Sequence, residues 1–320
     1  SDSQLVASTV TAAAPEKKNL SNIQLRWITG LVLGGIATSW IAAGPKAFVS
    51  LFLPVAISSQ GEYFGMVKAM DTNNVGPSVN VGIVATVLCS LIAYFMPEFH
   101  QFVLPLSFLV VFTSQLLSKR RNALSFNTLA GTMMGILHIG YLPSFWVRLV
   151  QESTQFSNLR PEIPGFLDFL TKGLLGGRMT QAPAILWWTW LCIAFSDVGA
   201  YFTGKTIGKN KLSVLSSPAG AASPNKTLEG CVGGFLTSMA LATWGAHTMR
   251  WANWKVLGPL YGLLIGFVGL LGDLAISLLK REAKMKDSGN LLPGHGGILD
   301  RIDSYLLTAP VCYLFCKLLL

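Results

Sequence analysis

Charge is what this sequence lacks. Of its 320 residues only 12% are Asp, Glu, Lys or Arg, while 51% are hydrophobic and the mean hydropathy is +0.51. A soluble domain carries about one-quarter charged residues, so a water-surrounded globule is excluded and a bilayer is the expected solvent. Histidine is also scarce: the four, at 100, 138, 247 and 295, are scattered and share no ligand spacing with cysteine, which argues against zinc. The five cysteines are odd in number and all fall inside apolar runs, so neither a disulfide scaffold nor a chelating pair is expected. No serine, cysteine and histidine spacing supports acyl hydrolysis, and no internal repeat is present. An initiator methionine is missing too. The opening "SDSQLVASTVTAAA" is small, polar and nearly free of acid, and reads as the remnant of an organelle transit peptide, with residues 1 to 25 a disordered tail.

Apolar runs fill the rest. About nine are candidates to cross a hydrocarbon core roughly 30 Å thick. They lie near 27 to 44, 47 to 60, 79 to 96, 102 to 117, 123 to 142, 183 to 203, 230 to 249, 257 to 279 and 302 to 319. The second is short and broken by Pro54, so eight crossings are the alternative. The expected fold is all-α, a polytopic integral membrane bundle, with an amino-terminal part at 26 to 180 and a carboxyl-terminal catalytic region at 181 to 320. The net charge of +9 comes from lysines and arginines in short loops, which fits anionic headgroups or phosphates better than nucleic acid. With nine spans and the amino terminus inside, the retention of basic loops on the inner side puts segments 204 to 228 and 280 to 301 on one face. Seven of the fifteen acidic residues lie between Asp197 and Asp303, which directs attention to the same region.

Asp273 sits in "LLGDLAISLLKR", where an ionised carboxylate needs a partner or a cation and is a functional candidate by default. Ser277 and Lys280 follow on the same helical stripe, so an aspartate that merely reaches its own lysine is the bland alternative. "KREAKMKDSGNLLPGHGGILDRIDS" comes next, and its Pro293 and glycines forbid regular helix and let backbone amides approach a ligand. Asp300 and Asp303 open the last run, where helix capping explains one aspartate but not both. Hard oxygen ligands from Asp273 and Asp300 suit Mg²⁺, which takes one or two carboxylates and completes its shell with phosphates. His295 is a phosphate contact or a loop organiser. In the other segment, "SDVGAYFTGKTIGK" and "SPNKTLEGCVGG" supply Ser196, Asp197, Tyr201, Lys205 and Lys226, the lysines being point charges suited to phosphate. Glu229, after Thr227, has a capping alternative, and Gly230, Gly233 and Gly234 read as close helix contacts. "GKTIGK" lacks the spacing of a phosphate-binding P-loop. Together these features describe a site for phosphate-rich ligands at a membrane face.

Ser277, Lys280, Arg281, Lys286, Asp287, Gly289, Pro293, His295, Gly296, Gly297, Asp300, Arg301 and Asp303 match, at every spacing, the signature of the phosphatidate cytidylyltransferases. The carboxyl-terminal half resembles that family again in Ser196, Asp197, Ala200, Tyr201 and Gly204, and in Ser223, Pro224, Lys226, Thr227, Glu229 and Gly230. The amino-terminal half resembles it loosely, chiefly in its spans and in "GEYFGMV" at 61 to 67. Leu228 stands where the family commonly has tryptophan, and 215 to 222 looks like an insertion. The resemblance implies that CTP and phosphatidic acid give CDP-diacylglycerol and pyrophosphate with Mg²⁺ on Asp273 and Asp300, and it leaves room for a second, monovalent cation. It implies catalytic roles for Lys280, Arg281, Asp287, His295, Arg301 and Asp303. Substrate contacts are implied for Ser196, Asp197, Tyr201, Lys205, Ser223, Lys226, Thr227, Glu229, Ser277, Lys286, Gly296 and Gly297. The expected partners are CTP, phosphatidic acid and the bilayer, with no nucleic acid and with a homodimer allowed. A plastid membrane is favoured, with a bacterial plasma membrane as the alternative. The rival readings are a CTP-dependent polyprenol or phytol kinase and an ion-coupled transporter, although a transporter commonly shows the repeat that is absent here.

Overall fold

The computed structural model describes residues 32, 34–70, 78–118, 125–152, 181–291 and 296–320. The amino-terminal 31 residues and the stretch from 153 to 180 therefore lie outside the described residues, as does His295. The chain divides into two compact units, Ser1–Thr38 and Ser39–Leu320. In the first, residues 34 to 38 are helical. The second holds everything that follows.

After residue 44, ten α-helices are described in this second unit, and no strand occurs among the described residues. They are α1 (Pro45–Met70), α2 (Val79–Phe95), α3 (His100–Leu116), α4 (Phe126–Gly135), α5 (Ser144–Gln151), α6 (Gln181–Ile207), α7 (Ser217–Ala222), α8 (Leu228–Thr248), α9 (Trp254–Glu282) and α10 (Leu299–Leu319). A π-helical turn, Ile136–Tyr141, joins α4 to α5. Among the described residues five stretches can cross a membrane by length and apolarity: Pro97–Leu116, Phe126–Gln151, Ala182–Ile207, Trp254–Glu282 and Leu299–Leu319. Helices α1, α2 and α8 complete the polytopic bundle, in agreement with the expected all-α membrane fold.

One expectation is corrected. The run from 47 to 60 is not broken by Pro54: α1 carries that proline inside a continuous helix of 26 residues. Proline removes one backbone donor and crowds the carbonyl four residues earlier, but membrane helices absorb this where neighbouring helices and hydroxyls compensate. The apolar run ends near 60 because Gln60, Glu62 and Lys68 follow, yet the helix continues, since Gln60 and Glu62 are buried inside the protein rather than facing lipid.

Lipid tails are as apolar as leucine, so helix association here depends on close packing and polar contacts instead of water exclusion. The surface accordingly shows large hydrophobics such as Phe102, Leu106 and Leu109 on α3, while Thr86, Thr132, His138, Thr189 and Thr308 are buried. Helices α6, α8, α9 and α10 form the most closely packed group. Small residues set their spacing. A methyl group placed on Gly262 of α9 would lie 2.5 Å from the Met239 Cα of α8, and one on Gly234 of α8 would lie 2.8 Å from the Ser196 carbonyl oxygen of α6. This is the close-contact role expected for the 230 to 234 glycines. At the centre an aromatic cluster of Trp146, Trp190 and Tyr305 is fixed by a hydrogen bond from the Trp146 indole to the Tyr305 carbonyl, 3.1 Å.

Directionality follows from this packing. Contacts bring the carboxyl-terminal parts of α1, α6 and α9 to the amino-terminal starts of α8 and α10. Two helix starts therefore present their partial positive charge at one end of the bundle.

Candidate active site

Local chemistry ends each helix where the site begins. Thr227 caps α8, its hydroxyl accepting from the Gly230 amide at 3.1 Å. Helix α9 stops after Glu282 through a left-handed residue, Lys284, and the Met285 amide returns to the Lys280 carbonyl, 2.8 Å. The segment between α6 and α8 is held flat against α8: the Leu212 amide donates to the Lys226 carbonyl and the Leu228 amide to the Asn210 carbonyl. Glu229, in the first turn of α8, also reaches beyond its own helix. Its carboxylate accepts the backbone amides of Lys209 and Asn210 and the Asn210 side-chain amide, the last at 2.7 Å. Hydrogen bonding from its own backbone amide, and then from Asn210 and Lys209, holds the Glu229 carboxyl below its ordinary value.

This bracing delivers Lys226 to α9. Its ammonium donates to Asp273 Oδ2 at 2.5 Å, and Ser277 donates to Asp273 Oδ1 at 3.1 Å. Asp273 lies nine residues before the end of α9, so roughly 14 Å of helix separates it from the membrane-face loop. The pair is nevertheless open, with both side chains about a quarter exposed (26% and 24%). They open into a cavity of about 450 Å³ walled by α6, α8 and α9, to which Ser196, Asp197, Tyr201, Lys205, Lys226, Thr227 and Asp273 all contribute. Asp197 and Asp303 stand within electrostatic range of Asp273. Three carboxylates thus share one region, with Lys226 and Lys280 as the cations that act on them.

A second cluster forms where α10 begins. Asp300 Oδ1 accepts from Lys280 at 2.7 Å, and Asp300 Oδ2 accepts the Ser288 amide at 2.8 Å and the Gly297 amide at 3.0 Å. This pair is closed, its side chains 14% and 8% exposed. Gly296 adopts φ +79°, which only glycine takes without strain, and a methyl group there would also lie 2.9 Å from Asp300 Oδ2. Glu62, on α1, completes the cluster by accepting from Ser288 Oγ and from the Ile298 and Leu299 amides. Arg281 donates to the Ala222 carbonyl at 3.4 Å, so the two segments expected on one membrane face do meet.

The remaining residues singled out in the sequence fall around these two clusters. Lys286, Asp287 and Arg301 are exposed, with the Asp287 Cβ beside Gly296. Ser223 ends α7 outside the cavity wall, and Asp303 accepts from the Ser304 amide at the α9–α10 crossing. The expected metal pair is not gathered around one point by a third acid: among the described residues no group of three or more His, Cys, Asp or Glu is arranged to hold a metal ion. The all-oxygen donor set still fits Mg²⁺, which needs one or two carboxylates and draws its other ligands from water and phosphate. Of the two candidates, Asp273 is the accessible one, and Asp300 meets a cation only by releasing Lys280.

Glu62 is the residue that the sequence reading missed. The signal was available, because the argument from a carboxylate buried in a membrane helix applies to Glu62 on α1 as it does to Asp273 on α9.

Comparison with known proteins gives a consistent set of likenesses. The family model described as the cytidylyltransferase family matches residues 24–319. A phosphatidate cytidylyltransferase of Synechocystis is 34% identical over 304 residues, covering 92% of this chain and 97% of the relative. The chloroplastic phosphatidate cytidylyltransferase 4 of Arabidopsis thaliana is 32% identical over 94% of this chain and 75% of its own length. A Pseudomonas aeruginosa phosphatidate cytidylyltransferase is 32% identical over 90% of this chain and 95% of its own.

Proposed function

We propose a reaction from one premise: the chain belongs to the cytidylyltransferase family, and the substrates that its site suits are CTP and phosphatidic acid. The products are then CDP-diacylglycerol and pyrophosphate. A phosphate oxygen of phosphatidic acid attacks the α-phosphorus of CTP, a new P–O bond forms, and the bond from the α-phosphorus to the bridging oxygen breaks to release pyrophosphate. No dedicated base is needed, because a phosphate monoester has its second pKa at about 6 and its oxygen is largely anionic at neutral pH.

The supporting observation is the open Lys226–Asp273 pair in a cavity at the end of the bundle. Two polyanions must approach each other, so catalysis consists largely of positioning and charge stabilisation. Lys226 turns from Asp273 to a triphosphate oxygen, and the freed carboxylate faces a cation. Asp273 and Asp300 would hold Mg²⁺, which when bound neutralises triphosphate charge. Ser277 keeps Asp273 oriented. Lys280 and Arg281 supply further positive charge at the membrane face, and the Gly296 amide, with the positive starts of α8 and α10, receives a phosphate of the nucleotide, while the Gly297 amide, expected to share that role, is held by Asp300. Attack geometry is helped by the membrane, which holds the lipid phosphate at the level of the cavity mouth. The resemblance to chloroplastic and cyanobacterial relatives favours a plastid membrane.

The test is the fate of label in detergent-purified protein supplied with phosphatidic acid and Mg²⁺. Label on the α-phosphate of CTP is expected to enter organic-soluble lipid, while label on the γ-phosphate leaves as pyrophosphate. Transfer of the γ-label to lipid instead would make the chain a lipid kinase. Nucleotide-independent uptake into sealed vesicles would make it a transporter.

A further inference from the structure

We infer that Glu62 is a positioning residue that ties Ser288 to the start of α10 and so presets the phosphate cradle at Gly296. Its carboxylate comes from α1, more than two hundred residues away in sequence, and it is buried, with 9% of its surface exposed. Oε1 accepts from the Ile298 amide at 2.9 Å, and Oε2 accepts from the Leu299 amide and from Ser288 Oγ, each at 2.8 Å. Those amides are among the first of α10, whose neighbouring residue Ile298 makes no side-chain cap. Glu62 is therefore the cap, supplied by another helix. At the same time Ser288 is tied to the same carboxylate. The fit is tight: a methyl group on Gly297 would lie 2.4 Å from Glu62 Oε2, and one on Gly289 would lie 2.6 Å from Oε1.

Asp300 grips the same two places through the Ser288 and Gly297 amides. Two carboxylates thus hold Ser288 and the start of α10 together, but only Glu62 is anchored outside the carboxyl-terminal half. A carboxamide cannot replace it. With one acceptor oxygen instead of two, glutamine turns its amino group toward the Ile298 amide in one orientation and toward the Leu299 amide in the other. The inference rests on the reading of the Gly296 amide as a receiver of CTP phosphate, and the measurements separate the two.

Wild-type protein is first assayed for transfer from CTP to lipid; if it has none, the proposed function fails, while the clamp is still judged by amide hydrogen exchange. In wild-type protein the peptides spanning 284–291 and 296–302 are expected to be protected, and rapid exchange there would overturn the clamp outright. In Glu62→Gln those peptides lose protection while α6 and α8 keep theirs, and KM for CTP rises about tenfold, the loss expected when a preorganised site becomes slack. A role confined to folding would lower the active fraction and leave KM unchanged. Unchanged KM together with unchanged exchange in Glu62→Gln overturns the inference. Should that variant not fold, Glu62→Asp, which keeps the charge and shortens the reach by one methylene, is read by the same two measurements.

Discussion

Two ion pairs at opposite ends of α10 show how one kind of contact serves architecture in one place and chemistry in another. Near the carboxyl-terminal end, Arg148 donates to Glu152 at 2.6 Å, lies 4.6 Å from the Tyr313 ring centre, and Tyr313 donates to the other Glu152 oxygen at 2.6 Å. Every strong group there has a protein partner, and the two charged side chains are only 14% and 8% exposed. At the other end, Lys226 and Asp273 are 26% and 24% exposed and face a cavity. A closed pair exchanges its partner only at the cost of stranding a buried charge, whereas an open pair can trade its partner for ligand. Lys280–Asp300 has the same exposures as the Arg148 pair, 14% and 8%, although it stands next to the cavity. Proximity to the site and readiness to react are therefore separate properties, and exposure distinguishes them.

The comparison breaks most severely if Asp273 is dispensable. Asp273→Asn keeps shape and removes charge. Turnover should fall about 10²- to 10³-fold, the scale of losing one preorganised electrostatic contact in a transition state, while the thermal midpoint stays near wild type. The closed pair is expected to do the reverse. Glu152→Gln should lower stability by about 1 to 3 kcal/mol, as for a buried polar group left badly paired, with turnover per folded molecule within about twofold of wild type. Thermal unfolding in detergent beside activity normalised to folded protein reads both quantities.

A smaller effect concerns the brace behind Lys226. The Glu229 carboxyl is held below its ordinary value of 4.5, so its contribution is fully present above that pH and is lost as pH falls through its lower folded value. Wild-type protein should therefore loosen between Lys209 and Asn210 in acid, seen as faster amide exchange at those residues. Glu229→Gln should exchange faster already at neutral pH, and its acid dependence should be flatter.

Much of this was legible in the sequence, for physical reasons that differ by residue. Apolar length located the spans because a bilayer imposes one minimum length on every crossing helix. Thr227 announced its cap through a hydroxyl three residues ahead of an amide that needs it. Pro54 misled, since a breaker in water is tolerated where hydroxyls and neighbouring helices satisfy the chain. The partner of Asp273 was also misjudged in the bland reading. Lys280 lies seven residues on, roughly 10 Å along the helix, and it reaches Asp300 instead, while Asp273 takes Lys226 from a different helix. The partners of Glu62 were hidden for a related reason: its three donors lie 226 to 237 residues later, and no local periodicity reports so distant a contact.

The central claim is that Lys226 leaves Asp273 for nucleotide phosphate, and equilibrium binding of CTP to detergent-purified protein in the presence of Mg²⁺ tests it most directly. Lys226→Met is predicted to weaken CTP binding about tenfold or more, as loss of one charge-assisted phosphate contact would, with Glu152→Gln binding as wild type does. Equal affinity in Lys226→Met and wild type would contradict the account, because the open pair would then be one more structural contact.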